Sequence, residues 1–236
     1  MFPKGILFDL DDTIIAFESV ADTAWEDVAE MYYKECHLTD SKELVNAILE
    51  ARNWFWSDKA RNQKARLDLN QARKDVVHIA LEKLGIHDSV ITDKISDTYS
   101  NHRTTLIQFF PKAEETLNYL KENKVSLALM TNGEAVYQRN KVERFNLEQY
   151  FDVILIEGEI GFGKPDKRIY HLAIEGLNLD PSDLWAIGDN LEWDVWGPQQ
   201  MGIFSIWNDY KKRGLPESSN VVPDRIINSI SELMKN

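Results

Sequence analysis

The segment Gly5–Thr13 reads GILFDLDDT, and the rest of the chain is best interpreted outward from it. A short apolar run precedes two acids, Asp9 and Asp11, that are separated by one residue. An uninterrupted apolar run of this length is typical of a parallel strand buried on both faces. The segment therefore predicts a buried strand whose carboxyl end carries Asp9 and Asp11.

Similar apolar runs recur later in the chain, with helical patterns between them. The helical pattern at 111–120 places Pro111 in an expected first turn, and a second helix is predicted over 166–174. Alternation of strands and helices predicts an α/β fold, a Rossmann-like doubly wound parallel sheet. The further runs are Val125–Met130, Val153–Ile156, Leu184–Ile187 and the weaker Gly202–Ile206.

A long helical insertion interrupts this alternation after the first strand. No buried strand is predicted between Ile15 and about Leu106, and Gly85 follows one helical pattern as a helix stop. We therefore predict a Rossmann-like catalytic core over residues 1–15 and 107–236 and an all-helical domain over residues 16–106. The helical stretches are Ala21–Tyr33, Ser41–Trp56, Asn70–Leu84 and Ser89–Arg103.

The composition narrows the possible partners and compartments. The 236 residues carry a net charge of −12, which disfavours binding to nucleic acid or to anionic membranes. Cys36 is the only cysteine, so no intrachain disulfide forms and a reducing compartment is expected. The first residues resemble no signal peptide, and no apolar segment is long enough to span a membrane. We predict a cytoplasmic protein.

Polar residues follow the predicted strands, where ligands bind in open parallel sheets. Clustered carboxylates resist joint ionisation, and a divalent cation relieves their repulsion. Oxygen ligands without Cys or His indicate Mg²⁺ rather than Zn²⁺. The sequence therefore predicts a magnesium site in one crevice. The residues that follow the strands are Asp9 and Asp11, Thr131, Lys164, and Asp189 with Asp194.

This set of groups suits phosphoryl chemistry. Lys164, Thr131 and backbone N–H groups can hold phosphate oxygens. A carboxylate such as Asp9 can attack phosphorus to form an aspartyl-phosphate. Asp11, two residues further along, can supply a proton to the leaving alkoxide and later activate water.

Four motifs in this order resemble those of the haloacid dehalogenase-like hydrolases. The resemblance covers nearly the whole chain. Any one motif alone would be weak, but four motifs in the family's order after buried strands are specific. The motifs are Asp-x-Asp-x-Thr at 9–13, an apolar strand ending in Thr131 with Asn132 and Gly133 after it, Lys164-Pro165, and Gly188-Asp189 with Asp194 five residues on.

The resemblance implies a role for each motif residue. Asp9 would be the nucleophile and a Mg²⁺ ligand, and Asp11 the general acid and base with its backbone carbonyl on the metal. Thr131 and Lys164 would hold the phosphoryl group, and we place Asn132 with them as a phosphate-binding residue. Asp189 would bind the metal and Asp194 would support it. The helical insertion would be a cap that closes over the site and selects the leaving group.

Three alternatives remain beside a phosphatase. A metal-independent 2-haloacid dehalogenase of this family usually carries a Tyr-type residue in place of the second acid, and a halide leaving group needs no proton. A sugar phosphomutase would use the same intermediate, and a non-catalytic protein would bind Mg²⁺ and phosphate without turnover. The residue Asp11 favours phosphatase action on a small phosphorylated metabolite. The expected protein is a monomer or homodimer, and the sequence does not select one substrate.

Aromatic and basic residues at 54–66 allow two interpretations. The Trp54–Trp56 triplet precedes basic residues that include Arg61. A substrate rim would use them for stacking and anion attraction. Packing of the helical domain, with a solvated basic turn, is the interpretation that we favour.

Overall fold

The structure is a computed structural model that describes residues 3–235, the side chain of Lys235 excepted. Residues 1, 2 and 236 of the predicted core lie outside the described residues. The chain divides into two compact units. The first comprises Met1–Ala16 and Gln108–Asn236, and the second comprises Phe17–Ile107.

The first unit contains a six-stranded sheet in which every neighbouring pair is parallel. The strand order is β3-β2-β1-β4-β5-β6, which is the order of a doubly wound Rossmann-like sheet. The predicted α/β fold class is confirmed. The strands are β1 Gly5–Phe8, β2 Ser126–Thr131, β3 Val153–Ile156, β4 Leu184–Gly188, β5 Phe204–Asn208 and β6 Arg225–Ile227.

Strand β1 lies at the centre of this sheet and is buried along its whole length. Its last residue, Phe8, pairs with Leu129 of β2 on one side and with Ile187 of β4 on the other. The order of the strands reverses between β1 and β4, and ligands of doubly wound sheets bind at such a point. Asp9 and Asp189, which directly follow these two strands, therefore lie at the switch point.

The second unit consists of five α-helices preceded by a short 3₁₀ turn at Glu18–Val20, and Phe17–Ile107 contain no strand. An aspartate begins each of the last four helices, because its carboxylate accepts hydrogen bonds from main-chain N–H groups of the first turn. Gly85 ends the fourth helix with a positive φ, as predicted. The helices are α1 Ala21–Tyr32, α2 Ser41–Ser57, α3 Lys59–Ala65, α4 Leu69–Lys83 and α5 Ser89–Leu106.

Helices of the first unit connect its strands. Asp194 lies in a π-helical turn, Leu191–Trp196, that follows β4. No helix among residues 3–235 combines the length and apolar character that a membrane crossing requires. The α-helices are α6 Ala113–Glu122, α7 Ala135–Arg144, α8 Glu157–Ile160, α9 Lys167–Leu177 and α10 Gly197–Gln199.

Three local features differ from the expectations. Pro111 is not in the first turn of α6, because Lys112 adopts a left-handed conformation with φ 65° and the helix begins after it. Helix α3 was not predicted, since it buries no residue and so shows no apolar periodicity. Strand β6 was also missed. It has three residues at the edge of the sheet, too few for a recognisable run.

Candidate active site

The ends of β1 and β4 bring three acids together. Carboxylate oxygens of Asp9, Asp189 and Asp194 all lie within 4.8 Å of one another. Asp9 and Asp194 are buried, and Asp189 is partly buried. The prediction that acids distant in sequence converge at the carboxyl edge of the sheet agrees with this geometry.

Lys164 lies among these acids. Its side chain is 1% exposed, and its ammonium donates to Asp9 Oδ1 at 2.6 Å and to Asp194 Oδ1 at 2.7 Å. The other oxygen of Asp194 accepts the main-chain N–H of Asn190 at 3.0 Å. Thr13 donates its hydroxyl to Asp9 Oδ2 at 3.1 Å. Both oxygens of Asp9 and both of Asp194 are therefore held by donors from separate parts of the unit.

Two glycines make room for this arrangement. A Cβ at Gly188 would lie 2.2 Å from Cγ of Asp194, and one at Gly163 would lie 2.4 Å from Oδ1 of Asn132. Contacts this short do not occur between real side chains, so only glycine fits beside these polar groups. The two glycines therefore allow Asp194 and Asn132 to approach the backbone that carries the site.

The side-chain amide of Asn132 forms hydrogen bonds with the main chain of Lys164. Its Oδ1 accepts the N–H of Lys164 at 2.8 Å, and its Nδ2 donates to the carbonyl of the same residue at 2.7 Å. The structure thus shows a contact that positions Lys164, while binding of phosphate by Asn132 stays a prediction.

The charge of this cluster is unbalanced. Burial raises the pKa of Asp9 to about 7; the charges of Asp194 and Asp11 act in the same direction, although Lys164 opposes them. Burial and the charge of Asp9 also raise the pKa of Asp189 well above its usual range. Burial disfavours the charged form of Lys164, but Asp194 and Asp9 outweigh it and hold its pKa above the usual value.

These shifts have one cause: three carboxylates face one ammonium in a poorly solvated place. A divalent cation removes such repulsion. Asp9, Asp189 and Asp194 provide oxygen donors and no Cys or His, which is the donor set of Mg²⁺ rather than of Zn²⁺. The residues present therefore fit a magnesium ion.

The carboxylate of Asp11 is bound by residues of helix α7. Lys141 donates to its two carboxylate oxygens at 2.8 and 2.7 Å, and Gln138 Nε2 donates to Oδ2 at 3.1 Å. The same Nε2 contacts the hydroxyl of Thr131, the last residue of β2. Asp11 and Thr131, both predicted from the sequence, are thus joined through one glutamine.

Lys141 and Gln138 were not predicted as site residues. Both are buried, with 5% and 2% of their side chains exposed, on a helix whose composition is otherwise strongly polar. The available signal was their spacing of three residues, which places them on one helix face, and the position of α7 directly after the Thr131 motif. That signal indicates a shared face but not that the face is turned toward the acids.

The aromatic and basic segment 54–66 allows two interpretations, a substrate rim or packing of the helical domain, and its residues differ in burial. Phe55 is 5% exposed and belongs to the helical core, whereas Trp54 is 57% exposed. The guanidinium of Arg61 lies 3.9 Å from the ring centroid of Trp54 and donates to its main-chain carbonyl at 2.8 Å. Packing thus accounts for Phe55, and the exposed Trp54 stacks with a partly buried Arg61.

A family model for haloacid dehalogenase-like hydrolases matches residues 3–202. The chain belongs to this family. The match spans both units and includes all four motifs. The resemblance that the motifs indicated is therefore confirmed, and this protein is a haloacid dehalogenase-like hydrolase.

Relatives of this hydrolase have phosphatase names, and a related solved structure has a dehalogenase name. Phosphoserine phosphatase of Thermus thermophilus is 29% identical over 247 residues, covering 98% of this chain and 97% of the relative. Pyrimidine 5′-nucleotidase YjjG of Escherichia coli is 26% identical, with coverage of 97% and 95%. The 2-haloacid dehalogenase of Pseudomonas syringae pv. Tomato is 26% identical, with a TM-score of 0.63 and coverage of 100% and 97%.

Proposed function

We propose that this hydrolase is a Mg²⁺-dependent phosphatase that hydrolyses small phosphomonoesters through an aspartyl-phosphate on Asp9. The observation that carries the proposal is the buried cluster in which Lys164 meets Asp9 and Asp194 beside Asp189. The three carboxylates suit a divalent cation, and the ammonium suits an anionic phosphoryl group. The cation and the phosphoryl group would also neutralise each other's charge.

Asp9 and Asp189, with the backbone carbonyl of Asp11, would hold Mg²⁺, and Asp194 would support the site through Lys164. The ion would supply charge neutralisation for the phosphoryl oxygens. Lys164 and Thr131 would bind further phosphoryl oxygens, with Asn132 beside them. The bonds of Asn132 to the main chain of Lys164 support a role in positioning Lys164 within that group.

The chain's own residues would perform two displacements. In the first, a carboxylate oxygen of Asp9 forms a bond to phosphorus while the bond to the ester oxygen breaks, and Asp11 gives its proton to the departing alkoxide. In the second, Asp11 takes a proton from water, whose oxygen attacks phosphorus. The bond between phosphorus and the Asp9 oxygen breaks, inorganic phosphate leaves, and the carboxylate of Asp9 is restored.

Asp11 distinguishes this proposal from dehalogenation. A halide departs without a proton, so a dehalogenase has no use for an acid at this position. Here two buried side chains, Lys141 and Gln138, bind the Asp11 carboxylate. These buried hydrogen bonds favour a catalytic role for the Asp11 carboxylate. A sugar phosphomutase would share the first displacement and differ in the acceptor of the phosphoryl group, which product analysis separates.

The substrate that we propose is a small phosphorylated metabolite, the class to which the relatives' names point. Phosphoserine and pyrimidine nucleotides are both small phosphomonoesters. We propose that the helical unit Phe17–Ile107 is the cap that selects the leaving group. A cytoplasmic location and a monomeric or homodimeric state stay predictions, as does the absence of nucleic-acid and membrane partners.

A direct assay tests the proposal. The purified protein should hydrolyse p-nitrophenyl phosphate with Mg²⁺, lose that activity in EDTA, and regain it when Mg²⁺ is restored. Asp9→Asn should abolish turnover while its circular dichroism spectrum shows an intact fold. The matched control is Asp97→Asn, which changes an exposed aspartate on α5. Full activity in Asp9→Asn would refute the mechanism, and 2-haloacid turnover insensitive to EDTA would replace it with dehalogenation.

A phosphate analogue provides a second test that does not depend on turnover. Beryllium fluoride with Mg²⁺ imitates an aspartyl-phosphate. It should raise the melting temperature of the wild-type protein and leave that of Asp9→Asn unchanged. An equal shift in both proteins would show binding elsewhere and would contradict a phosphoryl group on Asp9.

A further inference from the structure

Helix α7 carries two polar residues, Gln138 and Lys141, that belong to none of the four motifs. Lys141 binds both carboxylate oxygens of Asp11, and its ammonium also donates to Oε1 of Gln138 at 2.8 Å. Gln138 in turn contacts Asp11 and Thr131 through Nε2. The four side chains form a connected hydrogen-bond network within the first unit.

Burial makes this network more than a surface ion pair. Lys141 is 5% exposed and Gln138 is 2% exposed, although the rest of α7 is largely solvent-accessible. Burying a lysine and an amide is costly unless each donor and acceptor is matched. A buried ion pair is a poor way to stabilise a fold, because apolar residues of similar volume often do as well. The network therefore calls for an explanation beyond stability.

The geometry restricts where the Asp11 carboxylate can lie. Two hydrogen bonds from one ammonium and a third from an amide fix both its oxygens. The amide that binds Asp11 also binds Thr131, so the two are held relative to each other. In the proposed function, Asp11 protonates the leaving oxygen and Thr131 holds the phosphoryl group. Their separation thus determines whether the proton reaches the oxygen that departs.

We propose that Lys141 and Gln138 are positioning residues that hold the Asp11 carboxylate at a fixed place relative to Thr131 for protonation of the leaving group. This inference rests on the proposed phosphatase function. Neither residue is required to touch the substrate. Their loss should slow the first displacement for an ester whose departing oxygen needs a proton. It should spare the first displacement for an ester whose leaving group departs as a stable anion.

The leaving group provides the test. An alkyl phosphate needs a proton on its departing oxygen, whereas 2,4-dinitrophenyl phosphate releases a stable anion. The ratio kcat/KM reports on events up to formation of the phosphoenzyme, the step in which the leaving group departs. We expect Lys141→Met to lower kcat/KM at least about thirtyfold for an alkyl phosphate and less than about threefold for the dinitrophenyl ester, a loss typical of general acid catalysis.

Further variants show whether the loss of activity comes from misfolding rather than from loss of the contact with Asp11. Gln138→Leu should show the same preference to a smaller degree, and Lys141→Arg, which keeps the charge, should recover much of the alkyl activity. The control is Arg139→Met on the same helix, which breaks an exposed ion pair to Glu159 of 2.7 Å and should change neither substrate. Equal losses on both substrates would indicate a structural role for Lys141 and would overturn the proposal, as would unchanged rates.

A crystal structure of Lys141→Met separates this inference from the proposed function. The Asp11 carboxylate should leave its wild-type position, or show more than one, while Asp9 and Lys164 stay in place. An unmoved Asp11 would overturn the positioning role even in an active enzyme. If the wild-type protein hydrolyses neither ester, the phosphatase proposal fails, and the crystal structure still decides whether Lys141 holds Asp11.

Discussion

The side-chain amide of Asn132 forms a reciprocal pair of hydrogen bonds with the main chain of Lys164, at 2.8 and 2.7 Å. This pair joins the loop after β2 to the loop before α9. The ammonium of Lys164 reaches Asp9 and Asp194 from the backbone that Asn132 holds. Asn132 therefore helps to determine where the ammonium of Lys164 enters the site.

Replacing Asn132 should show whether its bonds to Lys164 contribute to stability and to catalysis. Asn132→Leu removes both hydrogen bonds, and at about 1 kcal/mol each we expect a loss of about 2 kcal/mol of unfolding free energy in urea. A displaced Lys164 should also lower kcat/KM for p-nitrophenyl phosphate by at least about tenfold. Asn132→Asp, which can still accept from the N–H of Lys164, should be intermediate in stability. Wild-type values in the leucine variant would contradict the role that we assign to the pair.

The core of the site was predictable because it depends on local patterns. Apolar runs identify β1 to β5, and a parallel sheet brings their carboxyl ends to one edge. Asp9, Thr131 and Asp189 could therefore be placed together without knowledge of any contact. The helical unit was equally accessible, since its apolar residues recur at helical spacing.

Other features depend on tertiary contacts that leave no local signal. The sequence of helix α7 is polar and does not indicate that Lys141 and Gln138 are buried, because only the tertiary fold turns their face toward Asp11. The paired contacts of Asn132 require two loops to meet. Helix α3 and strand β6 lack an apolar pattern, because the first buries nothing and the second is a short edge strand.

Gly188 gives a prediction about steric fit. A methyl group there would overlap Asp194, whose Cγ would lie 2.2 Å away. Gly188→Ala should displace Asp194 from Lys164, lower the unfolding free energy by about 1–3 kcal/mol, and reduce kcat/KM at least about a hundredfold.

The control for this change is Gly202→Ala. Gly202 has φ +78° and no atom within 4 Å of an added Cβ. Alanine there should cost about 1 kcal/mol through its left-handed backbone and leave catalysis intact. Comparable rate losses in the two variants would show that general destabilisation, rather than the Asp194 contact, explains the loss in Gly188→Ala.

The second unit should depend on the stacked pair of Trp25 and Tyr99. Their ring centroids lie 3.4 Å apart at an interplanar angle of 6°, and each side chain is 2% exposed. Trp25→Ala should lower the unfolding free energy by about 3–5 kcal/mol. Trp25→Phe should cost much less, because the indole N–H has no hydrogen-bond partner among residues 3–235. If urea unfolding shows the same loss of unfolding free energy for Trp25→Phe and Trp25→Ala, a contact specific to the indole ring, rather than burial of an aromatic ring, stabilises this unit.

Asp189 gives a prediction in which the sign of a stability change depends on pH and on Mg²⁺. Its pKa is raised well above the usual range by burial and by Asp9. A carboxyl whose pKa is higher in the folded than in the unfolded state costs no stability below its unfolded pKa of about 3.9. The folded state then loses stability relative to the unfolded state as the pH rises toward the folded pKa.

Asp189→Asn removes this penalty in the metal-free protein. In EDTA we therefore expect the variant to melt above wild type at pH 8, and the difference to shrink as the pH falls toward 4. With Mg²⁺ at pH 8 the order should reverse, because wild type keeps a ligand for the ion and the variant should bind it at least about tenfold more weakly. Asp97→Asn should follow wild type throughout. A variant that melts below wild type in EDTA at pH 8 would contradict the repulsion among Asp9, Asp189 and Asp194, and a variant that gains as much as wild type from Mg²⁺ would remove Asp189 from the proposed metal site.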